Sequence, residues 1–170
     1  DLSLAPDLPE NVITDPVKLK QILLNLLGNA VKFTENGSIT LCAAPISTDH
    51  LRLEVIDTGI GIAADEIDGI FDPFNQARDG RSIDGTGLGL AINRSLIRLL
   101  GGEIFQVESE PGKGACFSIF LPFTTADLPS ILMSAPSRCS SGTCIKRFSN
   151  IVSLTTDTSL PRVISAINCA

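Results

Sequence analysis

The chain has 170 residues, 44% hydrophobic and 19% charged, with a formal net charge of −6, which gives room for one ordinary globular domain and a fragment of another. The acidic balance excludes a nucleic-acid binder that works through a basic surface. No apolar run reaches membrane-spanning length and no signal peptide leads the chain, so this piece is expected to be soluble and not membrane-inserted.

Asp1 to Ala5 alternates apolar and polar residues as a short strand does, and Pro6 and Pro9 end it. Asp15-Pro16 is a helix start, with Asp as N-cap and Pro at the first helical position. The helix is expected to run to about Phe33, and Glu35-Asn36-Gly37 makes a turn. Ser38 to Ala44 and Leu51 to Asp57 read as two strands joined by a polar loop. A glycine-broken segment follows, Asp57-Thr58-Gly59-Ile60-Gly61-Ile62, then a short helix over Ala64 to Ile70 and the group Phe71-Asp72-Pro73-Phe74. Residues 75–87 are polar and glycine-bearing and read as a mobile loop. Leu88 to Leu100 is helical and stopped by Gly101-Gly102. Glu103 to Ser109 and Ala115 to Leu121 form a hairpin. After Pro122 the texture changes to Ser- and Thr-rich. A strand at Ile131 to Met133, a helix at Arg138 to Phe148, a strand at Asn150 to Leu154 and a helix at Leu160 to Ile167 give a βαβα pattern too short to close a domain.

Three constellations carry chemistry. The first helix is densely apolar, yet Gln21, Asn25, Asn29 and Lys32 recur at spacings of four, four and three and so stack on one stripe. Two readings stand: a solvated face, or a face set against a polar ligand. Apolar Leu24 and Val31 beside the stripe favour the second, since buried polar groups need partners. A nucleotide triphosphate with a metal fits; an Asn carbonyl is a hard oxygen ligand for Mg²⁺, and Lys32 can reach a phosphate. With so few basic residues, a bound polyphosphate would be neutralised by a metal and by backbone N–H groups. Second, Asp57 ends a strand. Its carboxylate can accept from an exocyclic amine such as that of adenine, and Gly59 and Gly61 let the backbone approach a flat ring; alone, this is also an ordinary strand-ending turn. Third, Gly85-Thr86-Gly87-Leu88-Gly89-Leu90 precedes a helix, whose free N–H groups bind anions; the alternative is a flexible hinge. Neither a P-loop nor a Rossmann fingerprint is present. Phe71 and Phe74 are expected to pack in the core at the base of the loop. His50, the only histidine, reads as a solvated residue at a hairpin tip. The five cysteines form no CxxC pair and are odd in number, which fits inert thiols in a reducing compartment.

The order and spacing of these motifs over residues 1–123 resemble the catalytic, ATP-binding domain of two-component sensor histidine kinases, within the wider family shared with gyrase B, mismatch-repair and heat-shock chaperone ATPases. Residues 18–36 resemble its N box, Asp57–Ile62 its first glycine box, Phe71–Phe74 its F box, Gly85–Leu90 its second glycine box and Gly112–Gly114 a weaker third. The resemblance implies an α/β fold, a two-layer sandwich of Bergerat type with a mixed sheet and helices on one face. It implies ATP and Mg²⁺ as ligands, with Asn29 on the metal, Asn25 supporting the metal and phosphate site, and Lys32 on phosphate. Phe33 would pack near the adenine, Asp57 would bind its amine, and Gly59, Gly61 and Ile62 would shape the base pocket with Phe74 at its edge. Gly85, Thr86, Gly87, Leu88, Gly89 and Leu90 would wrap the triphosphate, residues 75–87 would form a lid, and Arg81 would reach the γ-phosphate.

In the hydrolytic branches the position of Asn25 holds a Glu that activates water. An amide cannot take that proton, so the resemblance implies ATP held for transfer to a histidine on a separate dimerisation domain. That phosphoacceptor is absent here: His50 has neither the acidic neighbour nor the helix expected. Ala115 stands where a Thr commonly follows the third glycine box. Residues 124–170 resemble a linker and an incomplete receiver unit of a hybrid kinase, with Ser134-Ala135-Pro136 in place of its acidic pair. The implied partners are the dimerisation domain and a response regulator or receiver domain. The implied location is the cytoplasm, with a parent protein that can be anchored in the inner membrane. The alternatives are a non-catalytic, nucleotide-responsive docking module and a hydrolytic ATPase. The chain also starts without Met, as an excised piece of a longer protein would.

Overall fold

The computed structural model describes residues 1–9, 11–75, 86–125 and 144–147. Its centre is a five-stranded sheet built from β1 (Leu2–Leu4), β3 (Ile39–Pro45), β4 (His50–Asp57), β5 (Glu103–Glu110) and β6 (Gly114–Pro122), in the order β1-β3-β4-β6-β5. β1 runs parallel to β3 and every other pair is antiparallel, so the sheet is mixed, as expected. A second, three-stranded sheet joins β2 (Asn11–Thr14) to β7 (Thr124–Thr125) and β8 (Cys144–Arg147), with β2 in the middle.

Strand alternation places the core. Leu51, Leu53, Val55 and Asp57 of β4 point to one face, and the register sets Val55 between Leu41 and Phe117 and Leu53 between Ala43 and Ile119. These rows are buried, and Leu19, Ile22, Leu23, Leu26, Leu27 and Ala30 of α1 (Pro16–Phe33) and Ile97 of α2 (Gly89–Leu99) join them in one core. Both helices therefore cover the same face of the sheet. The other face is mixed and carries a polar cluster: Ser118 Oγ donates to Glu54 Oε1 at 3.2 Å, with the Arg52 guanidinium alongside. Cys42 and Cys116 are free, half-buried thiols on that face, and burial pushes the Cys116 thiol up, away from the reactive thiolate.

Asp15 caps α1 as expected. Its carboxylate accepts from the amides of Val17 and Lys18 and pairs with the Lys18 ammonium, which holds its pKa below the usual carboxylate value. Asp15→Ala is expected to cost about 1 kcal/mol. The lowered pKa makes this contribution present above the unfolded value and lost as pH falls through the folded one. Urea titrations at stepped pH should show the gap between wild type and variant closing on acidification.

Several expectations change. Residues 64–68 form turns, and only Gly69–Phe71 is helical, as a single 3₁₀ turn. β2 was not foreseen between Pro9 and Asp15. Cys144–Arg147, inside the expected helix over 138–148, is a strand that pairs antiparallel with β2. The strands expected at 131–133 and 150–154 and the helix at 160–167 lie outside the described residues. Among the described residues no helix is long and apolar enough to cross a membrane.

Candidate nucleotide site

The site forms where the end of α1, the end of β4, the β5–β6 turn and the start of α2 meet. Asp57 ends the inward row of β4, so a carboxylate occupies a position where alternation otherwise puts an aliphatic side chain, and it is 6% exposed. Burial raises its pKa, while the amides of Gly59 and Ala115 pull it back; Gly59 N donates to Asp57 Oδ1 at 2.9 Å. Burying a carboxylate is costly unless a partner compensates, so a hydrogen-bond donor from a ligand would find a ready acceptor.

The glycines around it are required by space. A Cβ on Gly59 would collide with Phe33 O, the last carbonyl of α1, which also accepts from Ile60 N at 3.2 Å. Gly61 sits at φ +70° with Glu110 O where its Cβ would be, and Gly114 at φ +93° with Asp57 O there. Gly112 N donates to Ile60 O at 2.7 Å, and Ile62 N donates to Ser109 Oγ, which donates on to Gly114 O. The β5–β6 turn thus braces the segment after Asp57. Gly114→Ala combines a left-handed backbone with a clash against rigid backbone. It is expected to cost about 3 kcal/mol or more, seen as a fall in melting temperature together with loss of soluble yield.

On α1, Gln21 is exposed, and Asn25, Asn29, Lys32 and Phe33 are half-buried, with Asn25 bonded to α2 and the Phe33 carbonyl against Gly59 and Ile60. The Lys32 ammonium lies 5.1 Å from the centre of the Phe33 ring, a cation–π distance. The Asn29 side chain makes no hydrogen bond among the described residues. Its amide oxygen, one turn beyond Asn25, suits a hard cation that takes its other ligands from water and phosphate. Asn25 is differently placed from what the stripe suggested: its partner is protein. Asn25 Nδ2 donates to Asn93 Oδ1 at 2.8 Å and lies 3.4 Å from Gly89 O, and Gln21 Nε2 donates to Asn25 Oδ1 at 3.0 Å.

α2 begins at Gly89 with Leu88 as a cap residue that offers no side-chain acceptor, which leaves its first-turn amides to other partners. Thr86 is exposed, and Gly87, at φ +66°, accepts from Phe74 N at 3.1 Å, closing the base of the loop between them. Leu90 packs on the core. Phe74 corrects an expectation: it is 75% exposed with φ 66°, so it does not pack in the core. Its backbone closes the loop base instead, in a conformation that is unfavourable for a bulky residue. Arg81 and Gly85 lie outside the described residues. His50 opens β4 and does have an acidic neighbour, Asp49, whose carboxylate lies 2.9 Å from the ring Nδ1.

Sequence reasoning missed Asn93 and Ser109. Asn93 had a readable signal: Leu90, Asn93 and Ile97 share the inner stripe of α2, and one of the three is polar. Ser109 had none, since its role depends on the turn that brings it to Ile62.

The family model described as "Histidine kinase-, DNA gyrase B-, and HSP90-like ATPase" matches residues 14–125. Sensor histidine kinase RcsC of Escherichia coli K12 is 44% identical over 128 residues, covering 74% of this chain and 13% of its own length. The aerobic respiration control sensor protein ArcB of the same organism is 48% identical over 115 residues, covering 66% of this chain and 15% of its own. Among solved structures, full-length ShkA in complex with AMPPNP superposes with a TM-score of 0.65 at 43% identity, over 74% of this chain and 25% of that one. The chain therefore spans about one-seventh of the length of these curated relatives.

Proposed function

Because the chain belongs to the histidine kinase-, DNA gyrase B- and HSP90-like ATPase family, we propose that it binds Mg-ATP and presents the γ-phosphoryl group to a histidine on a separate dimerisation domain of its parent protein. The observation that carries this reading is Asn25. Its amide nitrogen faces two oxygens, Asn93 Oδ1 and Gly89 O. A carboxylate there would set acceptor against acceptor, so the residue that would activate water in a hydrolytic relative has no place in this wall. ATP is then kept for a nucleophile supplied from outside.

In this reading Asp57 accepts from the adenine amine in a base pocket shaped by the Gly59, Gly61 and Ile62 segment, with Phe33 and Phe74 at its edge. Lys32 and the amides of the Gly85–Leu90 turn hold phosphate oxygens, and Arg81 approaches the γ-phosphate. Asn29 supplies a ligand to Mg²⁺, and the cation, when bound, neutralises charge on the phosphates. Catalysis comes from orientation and charge stabilisation of an in-line transfer. His50, on a strand where a helix is expected, is not the acceptor. A response regulator or receiver domain would take the phosphoryl group onward, and dependence on ATP puts the module on the cytoplasmic side. Residues 124–170 are proposed as a linker into an incomplete receiver-like unit.

Mixing the chain with a dimerisation domain bearing the acceptor histidine and radiolabelled ATP should give acid-labile, base-stable phosphate on that domain. Steady phosphate release from the chain alone would identify a hydrolase. Tight nucleotide binding without transfer to any such domain would identify a nucleotide-responsive docking module.

A further inference from the structure

We propose that Asn93 is a positioning residue of the nucleotide site: it sets the direction of the Asn25 amide and locks the first turn of α2 to α1. This rests on the reading of that wall as part of a Mg-ATP site. Asn93 is 0% exposed, the one polar residue among the largest fully buried side chains of the described residues. An aliphatic side chain would fill the same place in an otherwise apolar stripe, and a buried amide is tolerated only when its groups are satisfied. Here they are. Asn93 Nδ2 donates to Ile22 O of α1 at 3.1 Å, and Asn93 Oδ1 accepts from Asn25 Nδ2 at 2.8 Å.

The direction of the whole network follows from one carbonyl. Ile22 O can only accept, so the Asn93 nitrogen must face it and the Asn93 oxygen must face Asn25. Asn25 must then present its nitrogen, which also lies 3.4 Å from Gly89 O, and its own oxygen turns to Gln21 Nε2. Two elements are registered by this chain of amides. Gly89 is the first residue of α2, directly after the glycine turn, and Asn29 stands one helical turn beyond Asn25 on α1. The Asn93 clasp therefore sets the spacing between the amides at the start of α2 and the Asn29–Lys32 wall. It also makes an acid at position 25 unfavourable, because a carboxylate would meet two acceptors.

The test uses the whole chain with Asn93→Leu, which keeps bulk and removes both bonds, and Asn93→Asp, which keeps the shape and the acceptor but loses the donor to Ile22 O. A sheet-core substitution far from the site, Ile119→Val, serves as a stability control. Both Asn93 variants are expected to fold, to weaken Mg-ATP binding by about tenfold or more, and to shift the side-chain amide proton resonances of Asn25. Ile119→Val should lower stability and leave affinity unchanged. Wild-type Mg-ATP affinity in folded Asn93→Leu would overturn the proposal. If wild type itself bound no Mg-ATP, the proposed function would fail; unmoved Asn25 resonances in both variants would then overturn the clasp as well, and moved ones would sustain it.

Discussion

Asn29→Ala is expected to abolish the magnesium dependence of nucleotide binding while leaving the fold intact. The fold should survive because the Asn29 side chain is half-buried, makes no hydrogen bond among the described residues, and sits inside a helix where Ala is the better former. The affinity should not, because the amide oxygen is the metal's protein ligand in the proposed site. Residues that merely orient metal ligands typically matter by 10- to 100-fold in metal affinity, so a direct ligand should exceed about a hundredfold. Titration calorimetry with ATP in excess Mg²⁺ and again in chelator separates the two contributions: the variant should match wild type in chelator and fail to gain from the metal. An undiminished gain from Mg²⁺ in Asn29→Ala would remove Asn29 from the metal assignment.

Asp57→Asn should weaken ATP binding by about a hundredfold, and it should do so chiefly for adenine. Asp57 Oδ1 already accepts from Gly59 N. An amide that keeps this bond turns its nitrogen toward the ligand, and a donor then meets the donor of the exocyclic amine. Loss of one hydrogen bond to a buried charged group is worth about 1.5–3 kcal/mol, in line with that factor. Competition between ATP and GTP gives the specific readout, since discrimination between the two bases should shrink. A second consequence concerns stability without ligand. Burial raises the Asp57 pKa, so the folded state holds this proton more tightly than the unfolded state. Its contribution is fully present below the unfolded value and is lost as pH rises through the raised folded value. Denaturation at stepped pH should therefore show the difference between Asp57→Asn and wild type moving in favour of the variant as pH rises. A pH-independent difference would refute the buried-charge account.

Much of the architecture is legible in the sequence. The Asp15-Pro16 cap, the length of α1, the β3–β4 and β5–β6 pairs and the Gly101 stop all depend on residues a few positions apart, and all stand where they were expected. Where the reading failed, the cause was pairing over distance. β2 is four residues with no clear alternation of its own, and it is a strand because β7 and β8 bond to it on either side. Cys144–Arg147 carries helix-compatible residues and is a strand for the same reason. Phe74 looked like core because it is aromatic; the tight loop base between it and Gly87 turned it outward.

The candidate site divides the same way. Asp57 at the end of an apolar alternation, the glycines after it and the Asn25–Asn29–Lys32 stripe were visible in the chain itself, because period and chemistry are local properties. The partner of Asn25 was not. It lies 68 residues away on a second helix, and only the packing of α1 and α2 on one face of the sheet brings the two amides to hydrogen-bond distance. The same holds for the β5–β6 turn against the segment after Asp57: Gly114 is a glycine because Asp57 O occupies the space of its Cβ. Residue order determined which groups could bind a nucleotide. Long-range packing decided which of them already have partners, and so which remain for the ligand.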